Sequence, residues 1–246
     1  MDALLLVAAA SGTAVATGFG TIPVFLLGDR ADGLRPLLIG VAIGVMTVAS
    51  VAGLLLPALD EGSATSVVVG MALGVAFLAA ARREIGSREV HVGKLTGGGV
   101  RTALLVFLVL LVHSLPEGFA IGTAYASDTT GLALFVIIAI AVQNIPEGTS
   151  VAIPMRSAGF SRPQQFWAAV ATSAPQPVGA LFAFALVEQI KSLLSFSFAF
   201  AAGAMLALVL AELVPQAFAR ATWRGATLGV MFGAGVMLML SALLGV

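Results

Sequence analysis

Two short motifs in the middle of long apolar segments carry the side chains that could do chemistry. The first motif, His-Ser-Leu-Pro-Glu-Gly, begins at His113, and the second, Gln-Asn-Ile-Pro-Glu-Gly, begins at Gln143. His113 and Glu117 are four residues apart and therefore share one helix face. By the same spacing, Gln143 shares a face with Glu147. Two such faces turned together offer two carboxylates, an imidazole and an amide oxygen, which predicts a site for a divalent metal ion that crosses the membrane.

The cost of burying charge favours a metal ion as the partner of these groups. An ionised side chain in hydrocarbon needs a partner, and neither motif contains Lys or Arg. Two carboxylates would balance a 2+ ion. The alternative is a neutral, hydrogen-bonded pair of His113 and Glu117, which the recurrence of the motif disfavours. Imidazole mixed with carboxylate is typical of first-row divalent ions, with zinc foremost.

Each motif places a proline directly before its glutamate. Pro116 cannot donate to the carbonyl of Val112, and Pro146 cannot donate to that of Val142. A free carbonyl at membrane depth is tolerated where it lines a polar cavity. Two such prolines, each three residues after a polar side chain, favour a cavity over simple kinks.

The composition requires helices that span a membrane. The chain has 246 residues, 59% hydrophobic and 10% charged, with a mean hydropathy of +1.07, whereas soluble domains are about half apolar and about a quarter charged. We predict an all-α polytopic membrane protein with one transmembrane domain over 1–246. Because the chain has no Cys, metal ligands must be oxygen, imidazole or thioether. A net charge of zero argues against a nucleic-acid partner, and the apolar start indicates a first spanning helix rather than a cleaved signal.

Eight segments are long enough to span a bilayer, which takes about 20 apolar residues. They cover 3–27, 34–57, 64–82, 101–126, 131–155, 164–187, 194–216 and 224–245. The longest connection, 83–100, ends in three glycines and is predicted to be a flexible cytoplasmic loop. Small-xxx-small patterns beginning at Gly40, Gly70 and Gly229 predict close helix packing.

Basic residues predict the orientation. Eleven of the 12 Lys and Arg residues lie in or beside the odd-numbered connections, and only Lys191 lies on the other side. By the positive-inside rule these connections are cytoplasmic and both termini are outside. The two motifs fall on antiparallel helices four and five, with three helices before and three after. This arrangement predicts an inverted repeat with its binding site near the midplane.

With these motifs the chain resembles the ZIP (Zrt-, Irt-like protein) family of metal transporters. Pro-Glu-Gly on both helices, with Gln143 rather than His opening the second motif, is similar to the GufA-type branch. The resemblance covers eight helices, both ends outside and motifs on helices four and five. It implies a 3+2+3 inverted-repeat arrangement, uptake of zinc and related ions towards the cytoplasm, and an elevator-like movement.

The resemblance also implies particular ligands. The first metal site would comprise His113, Glu117, Gln143 and Glu147, with Met46 of helix two as a thioether ligand. A second ion in this branch uses an Asn, an Asp and a Glu, and the matching positions here are Ser114, Asn144 and Gln176. Because both acids are replaced by amides, we expect one strong site and a weak or absent second one.

Three further polar residues leave alternatives open. Gln176, between two prolines, lines the ion path or is a kink with an exposed amide; its neighbouring hydroxyls favour the path. Glu212, about one turn from the cytoplasmic end of helix seven, is an exit-side ligand or extends to the interface. His91 in loop 83–100 is interpreted as a solvated residue rather than a metal ligand.

The rival functions are a broad carrier for Mn, Fe or Cd and, less well supported, an intramembrane metalloprotease. A metalloprotease needs two His one turn apart, and the other His lies in a loop. We expect no enzyme activity and no cofactor, since Zn²⁺, Cd²⁺, Fe²⁺ or Mn²⁺ would be the transported ion. The expected surroundings are the lipid bilayer of the cell (plasma or inner) membrane, and a homodimer is left open.

Overall fold

The computed structural model describes residues 2–87, 98–219 and 223–246. Every regular element in these ranges is helical, and eight helices are long and apolar enough to cross a membrane. The all-α class and the eight spanning helices are therefore confirmed. In chain order they are α1 (Ala3–Leu27), α2 (Ala31–Glu61), α3 (Ala64–Ile85), α4 (Thr102–Ala126), α5 (Leu132–Ser157), α6 (Arg162–Gln189), α7 (Lys191–Phe218) and α8 (Trp223–Leu244).

The predicted loop 83–100 was too long at both ends. The helix that contains α3 continues to Ser87, and the helix that contains α4 begins at Gly98. Charged residues after 82 and glycines before 101 suggested loop, but charges are compatible with a solvated helix end, and glycine is tolerated in a first turn. His91 and the rest of 88–97 lie outside the described residues.

Four of the spanning helices are irregular at positions that matter for the site. α1 is interrupted between Phe19 and Ile22, and α6 between Thr172 and Pro175. α2 and α7 each contain one wide π-helical turn, at Val51–Leu55 and at Val209–Leu213. In both cases a proline follows two residues later, where the usual helical hydrogen bond cannot form.

Glycines let the helices pack with their backbones in contact. A Cβ on Gly40 would overlap the carbonyl of Ala226 in α8, and a Cβ on Gly229 would overlap that of Leu37 in α2. Gly70 would overlap the backbone of α7 in the same way. The packing role predicted for these small-xxx-small patterns is confirmed.

The most extensive helix contacts form matched pairs. α2 packs on α8 as α7 packs on α3, and α1 packs on α5 as α6 packs on α4. The interruptions of α1 and α6 and the π turns of α2 and α7 follow the same correspondence. These pairs are those expected of an inverted repeat. The 3+2+3 arrangement itself, the position of the termini and the single domain over 1–246 stay predictions.

Burial divides the helices into an inner and an outer set. More than 60% of the most apolar stretch of α2, α5 and α7 is buried, against 22% for α3 and α8. Large apolar side chains such as Val68, Phe232 and Leu243 are exposed on the outer helices, as expected for surfaces that face lipid. The second motif lies on α5, a helix of the inner set.

Candidate metal site

The two Pro-Glu-Gly motifs bring four helices together. α4 and α5 continue through Pro116 and Pro146 without interruption. A Cβ on Gly118 would overlap the carbonyl of Gln176 in α6, and a Cβ on Gly148 would overlap that of Thr17 in α1. The glycine of each motif thus brings α6 against α4 and α1 against α5, one residue after the glutamate.

The four residues of the predicted first site are all in the interior of the bundle. His113 is 3% exposed, Glu117 1%, Gln143 0% and Glu147 5%. Side chains on these faces therefore contact protein and not lipid. A charged or polar group at such a depth requires partners.

Glu117 is the centre of the polar contacts. Gln143 donates its Nε2 to Glu117 Oε1 over 2.6 Å, and Gln176 donates its Nε2 to Glu117 Oε2 over 2.8 Å. The Glu147 carboxyl lies close enough to interact with the Glu117 carboxyl. One carboxylate therefore connects α4 with α5 and α6.

Three buried polar atoms of the four residues of the predicted first site lack a hydrogen-bond partner in the described part of the chain. They are His113 Nδ1, Gln143 Oε1 and Glu147 Oε1. An unsatisfied buried polar atom costs about 1–3 kcal/mol, and most have a partner in native proteins. Each of these atoms is of a type that ligates divalent ions.

The ligands are not gathered around one point, however. No group of three or more His, Cys, Asp or Glu side chains in the described ranges has the arrangement of a metal site. His113 instead directs its Nε2 towards Glu212 Oε1 at 3.4 Å, and the same oxygen lies 2.9 Å from Nε of Arg82. In this arrangement amide N–H groups donate to the Glu117 carboxylate, and the Glu212 carboxylate forms an ion pair with a guanidinium.

A cavity of about 200 Å³ begins at the site. Its lining includes His113 and Glu147 of the predicted site, Glu212, and Gln216. Gln216 is exposed, so the cavity extends from the buried ligands to the end of α7. Of the two interpretations of Glu212, the structure places its carboxylate at this cavity, 9% exposed, beside His113. Its role as a ligand stays a prediction.

The positions matching a second ion are filled by a hydrogen-bonded network. Gln176 Nε2 also donates to Asn144 Oδ1, and Asn144 Nδ2 donates to Gln176 Oε1, each over 3.3 Å. Asn144 Nδ2 donates to the carbonyl of Thr13 over 2.7 Å, and the Thr13 hydroxyl lies 2.7 Å from Gln176 Oε1. Both N–H groups and the oxygen of the Gln176 amide have partners, so Gln176 is buried and is not an exposed amide. Its place on the ion path stays a prediction. Ser114 donates instead to the carbonyl of Leu110 in its own helix.

Met46 lies outside the hydrogen-bonded network, and Thr13, Thr17 and Arg82 were not identified from the sequence as residues near the site. Met46 is fully buried within the main apolar cluster, and its role as a ligand stays a prediction. Sequence reasoning missed Thr13 of α1, although Thr13 and Thr17 recur at helical spacing in an apolar segment. Thr17 pairs with Ser173 of α6 over 2.6 Å. Arg82 was assigned only to the flank of a loop, and no local pattern connects it with Glu212.

Comparison with known proteins identifies the family of the chain. Residues 80–241 match the sequence profile of the family described as ZIP Zinc transporter. The chain is 32% identical to "Zinc transporter GufA" of Myxococcus xanthus over the full length of both chains. It is 32% identical to "Zinc transporter ZIPB" of Bordetella bronchiseptica, over 94% of this chain and 78% of that protein.

A plant relative is matched over part of its length. The chain is 33% identical to "Putative zinc transporter At3g08650" of Arabidopsis thaliana, over 85% of this chain but 34% of that protein. The chain therefore spans about a third of the plant relative and the whole of the bacterial GufA. From the profile match and the full-length similarity, the chain belongs to the ZIP family of zinc transporters.

Proposed function

We propose that this protein transports divalent first-row metal ions, zinc foremost, across the membrane towards the cytoplasm through the site on α4 and α5. Membership of the ZIP family makes it a transporter of divalent metal ions and not an enzyme. The metal is accordingly the transported ion rather than a cofactor. An intramembrane metalloprotease is no longer a candidate.

The observation that carries the site is the environment of Glu117. Its two oxygens accept from amides of α5 and α6, and the Glu147 carboxyl lies beside it. Three further atoms of the site are buried and have no hydrogen-bond partner in the described residues: Gln143 Oε1, Glu147 Oε1 and His113 Nδ1. An ion that entered here would take up free ligand atoms and two negative charges, which offsets the cost of a 2+ charge in hydrocarbon.

Binding of a metal ion requires the side-chain amide of Gln143 to present its oxygen to the ion in place of its N–H group. Gln143 now points its Nε2 at Glu117, and a cation in that place would instead need the free Oε1. An amide can make this exchange by rotating about its last side-chain bond. Gln143 therefore suits a transport site, since the same amide can donate to a carboxylate through its Nε2 and ligate an ion through its Oε1.

The cavity supports the proposed direction. Its lining comes from the predicted cytoplasmic portions of four helices, including Leu105 of α4, Ser150 of α5 and Gln216 of α7. The opposite, predicted outer portion of α5 is filled by buried apolar residues such as Phe135 and Ile140. A site that is connected to the cytoplasmic side and packed on the outer side suits release into the cell.

The amide network supports a single ion per protein. A second ion at Asn144 and Gln176 would face N–H donors and no additional negative charge. Two 2+ ions close together in a medium of low dielectric repel strongly. We therefore propose one tightly bound ion, with the second position closed by the network.

The metal preference and the surroundings complete the proposal. A carrier with a wider range of ions, including Mn, Fe or Cd, would use the same ligand set. Measuring how strongly each of these ions competes with zinc uptake distinguishes a zinc carrier from such a broad carrier. We also propose the cell membrane (plasma or inner) as the location and a homodimer as the assembly. Light scattering of the purified protein in detergent tests the assembly.

The test of function is uptake into proteoliposomes that contain a zinc-sensitive dye. The unmodified protein should give zinc-dependent fluorescence that saturates, and E117A or E147A should reduce the rate by at least about tenfold. E188A, at the predicted outer end of α6, is a matched control that should transport normally. Normal uptake by both site variants would contradict the proposed site.

A further inference from the structure

Arg82 places a cation at the carboxylate that borders the cavity. Its Nε lies 2.9 Å from Glu212 Oε1, and its side chain is 42% exposed while that of Glu212 is 9% exposed. Arg82 is therefore anchored on an acid that is almost fully buried, and its other side remains accessible to water. The predicted cytoplasmic end of α3 brings it there.

The contact between Arg82 and Glu212 lies at the irregular turn of α7. Glu212 lies in the π-helical turn Val209–Leu213, and Pro215 follows. Pro215 has no N–H with which to satisfy the carbonyl of Ala211 in a regular helix. Arg82 donates its Nη1 to that carbonyl over 3.4 Å. The guanidinium thus contacts both the carboxylate of Glu212 and the carbonyl of Ala211 in the same π turn.

Arg82 and His113 of the predicted metal site both contact the same oxygen atom of Glu212. Glu212 Oε1 lies 2.9 Å from Arg82 Nε on one side and 3.4 Å from His113 Nε2 on the other. His113 and Glu147 line the cavity together with Glu212 and Arg35, whereas Arg82 is connected to it through its contact with Glu212. An ion that leaves His113 through this cavity reaches Glu212 where the guanidinium is already bound.

We propose that Arg82 is a tethered competitor for the metal at Glu212. It balances the buried carboxylate when no ion is present and has to be displaced before an ion can bind there. Because the competitor is part of the chain, it is present at constant effective concentration and shortens the time that an ion spends at Glu212. Arg82 acts through Glu212 and is a positioning residue, and its role rests on the proposed function.

The inference is tested by equilibrium zinc binding to the purified full chain in detergent, counted by dialysis and metal analysis. R82Q and R82M should shift the weaker phase of the zinc isotherm, which reports the ion at Glu212, to lower concentrations by about 3- to 10-fold, the equivalent of one partly exposed ion pair. R82K keeps the charge and should stay close to the unmodified protein. R83Q removes the neighbouring exposed arginine and is the matched control that should cause no shift.

Repeating the Arg82 substitution in a variant that lacks the Glu212 carboxylate shows whether Arg82 acts through Glu212. In E212Q, which removes the carboxylate, R82Q should cause no further shift, as a double-mutant cycle requires for a direct interaction. An unchanged isotherm for folded R82Q and R82M, or an equal shift in the E212Q background, would overturn the inference. Zinc uptake by the unmodified protein is measured in parallel, so that failure of the transport proposal is seen separately from failure of the binding shift.

Discussion

The closure of the second ion position leads to a prediction that can be developed quantitatively. Gln176 Nε2 lies 2.8 Å from Glu117 Oε2. Replacing Gln176 by Glu puts a carboxylate oxygen where the N–H donor was. At that separation two unit charges repel by about 6 kcal/mol at an effective dielectric constant of about 20, and uptake of a proton by one of the two carboxyls limits the loss of stability to less than this figure. Without a cation, Q176E should therefore be markedly less stable than the unmodified protein.

A bound cation reverses this effect. N144D combined with Q176E restores the two acids expected of a second ion position, so the double variant should bind a second zinc ion. Zinc at about 100 times its dissociation constant would return about 2.7 kcal/mol of stability. The thermal unfolding temperature of the double variant should accordingly rise steeply with zinc, while that of the unmodified protein rises less.

The assay combines thermal unfolding in detergent with metal analysis after dialysis. Q165E is a matched control, because Gln165 is a buried glutamine of α6 whose amide donates to the carbonyl of Phe160 and not to Glu117. It should lose stability without recovery by zinc. Two tightly bound zinc ions in the unmodified protein, or one ion only in the double variant, would refute the reasoning.

Two further predictions concern packing and topology. G118A and G148A should lose folded protein and transport, because each new methyl group would overlap a backbone carbonyl of a neighbouring helix. G12A and G235A, where the space is open, are controls for expression level and uptake, and normal function of G148A would contradict the close approach of α1 and α5. Because the chain has no Cys, single cysteines at Asp60, Ser127 or Gln189 should react with an impermeant reagent in intact cells, whereas those at Gly86 or Ser161 should not. Labelling of G86C would invert the topology.

The helices could be predicted well because the bilayer imposes a strong pattern. Length and hydropathy gave all eight spans to within a few residues at most ends. The largest difference between a predicted and an observed helix end is at the predicted outer end of α2, and it has a local cause. The prediction ended at Pro57, but the π turn at Val51–Leu55 lets the helix continue to Glu61.

The contacts of the site were only partly predictable. The i and i+4 spacing identified Glu117 and Gln143, which do contact each other. The Thr13 contact was missed because it depends on how closely α1 approaches α5, which the glycine at 148 determines through tertiary packing.

The pairing of Arg82 with Glu212 joins residues that are 130 positions apart in the chain. It depends on how α3 packs against α7 and on the π turn of α7. A hydropathy pattern contains no information on either feature, since it reports which segments are buried and not which polar atoms meet. Such long-range pairs become visible only when the helices are assembled.

The central claim is that an ion crosses the membrane at Glu117 and Glu147. Its most direct test is the initial rate of zinc uptake into dye-loaded proteoliposomes by the unmodified protein and by E117A, E147A and E188A, at equal amounts of inserted protein. We predict saturable uptake for the unmodified protein and for E188A, and loss of at least about tenfold in rate for the two site variants. Zinc uptake that is unchanged in both E117A and E147A would contradict the account.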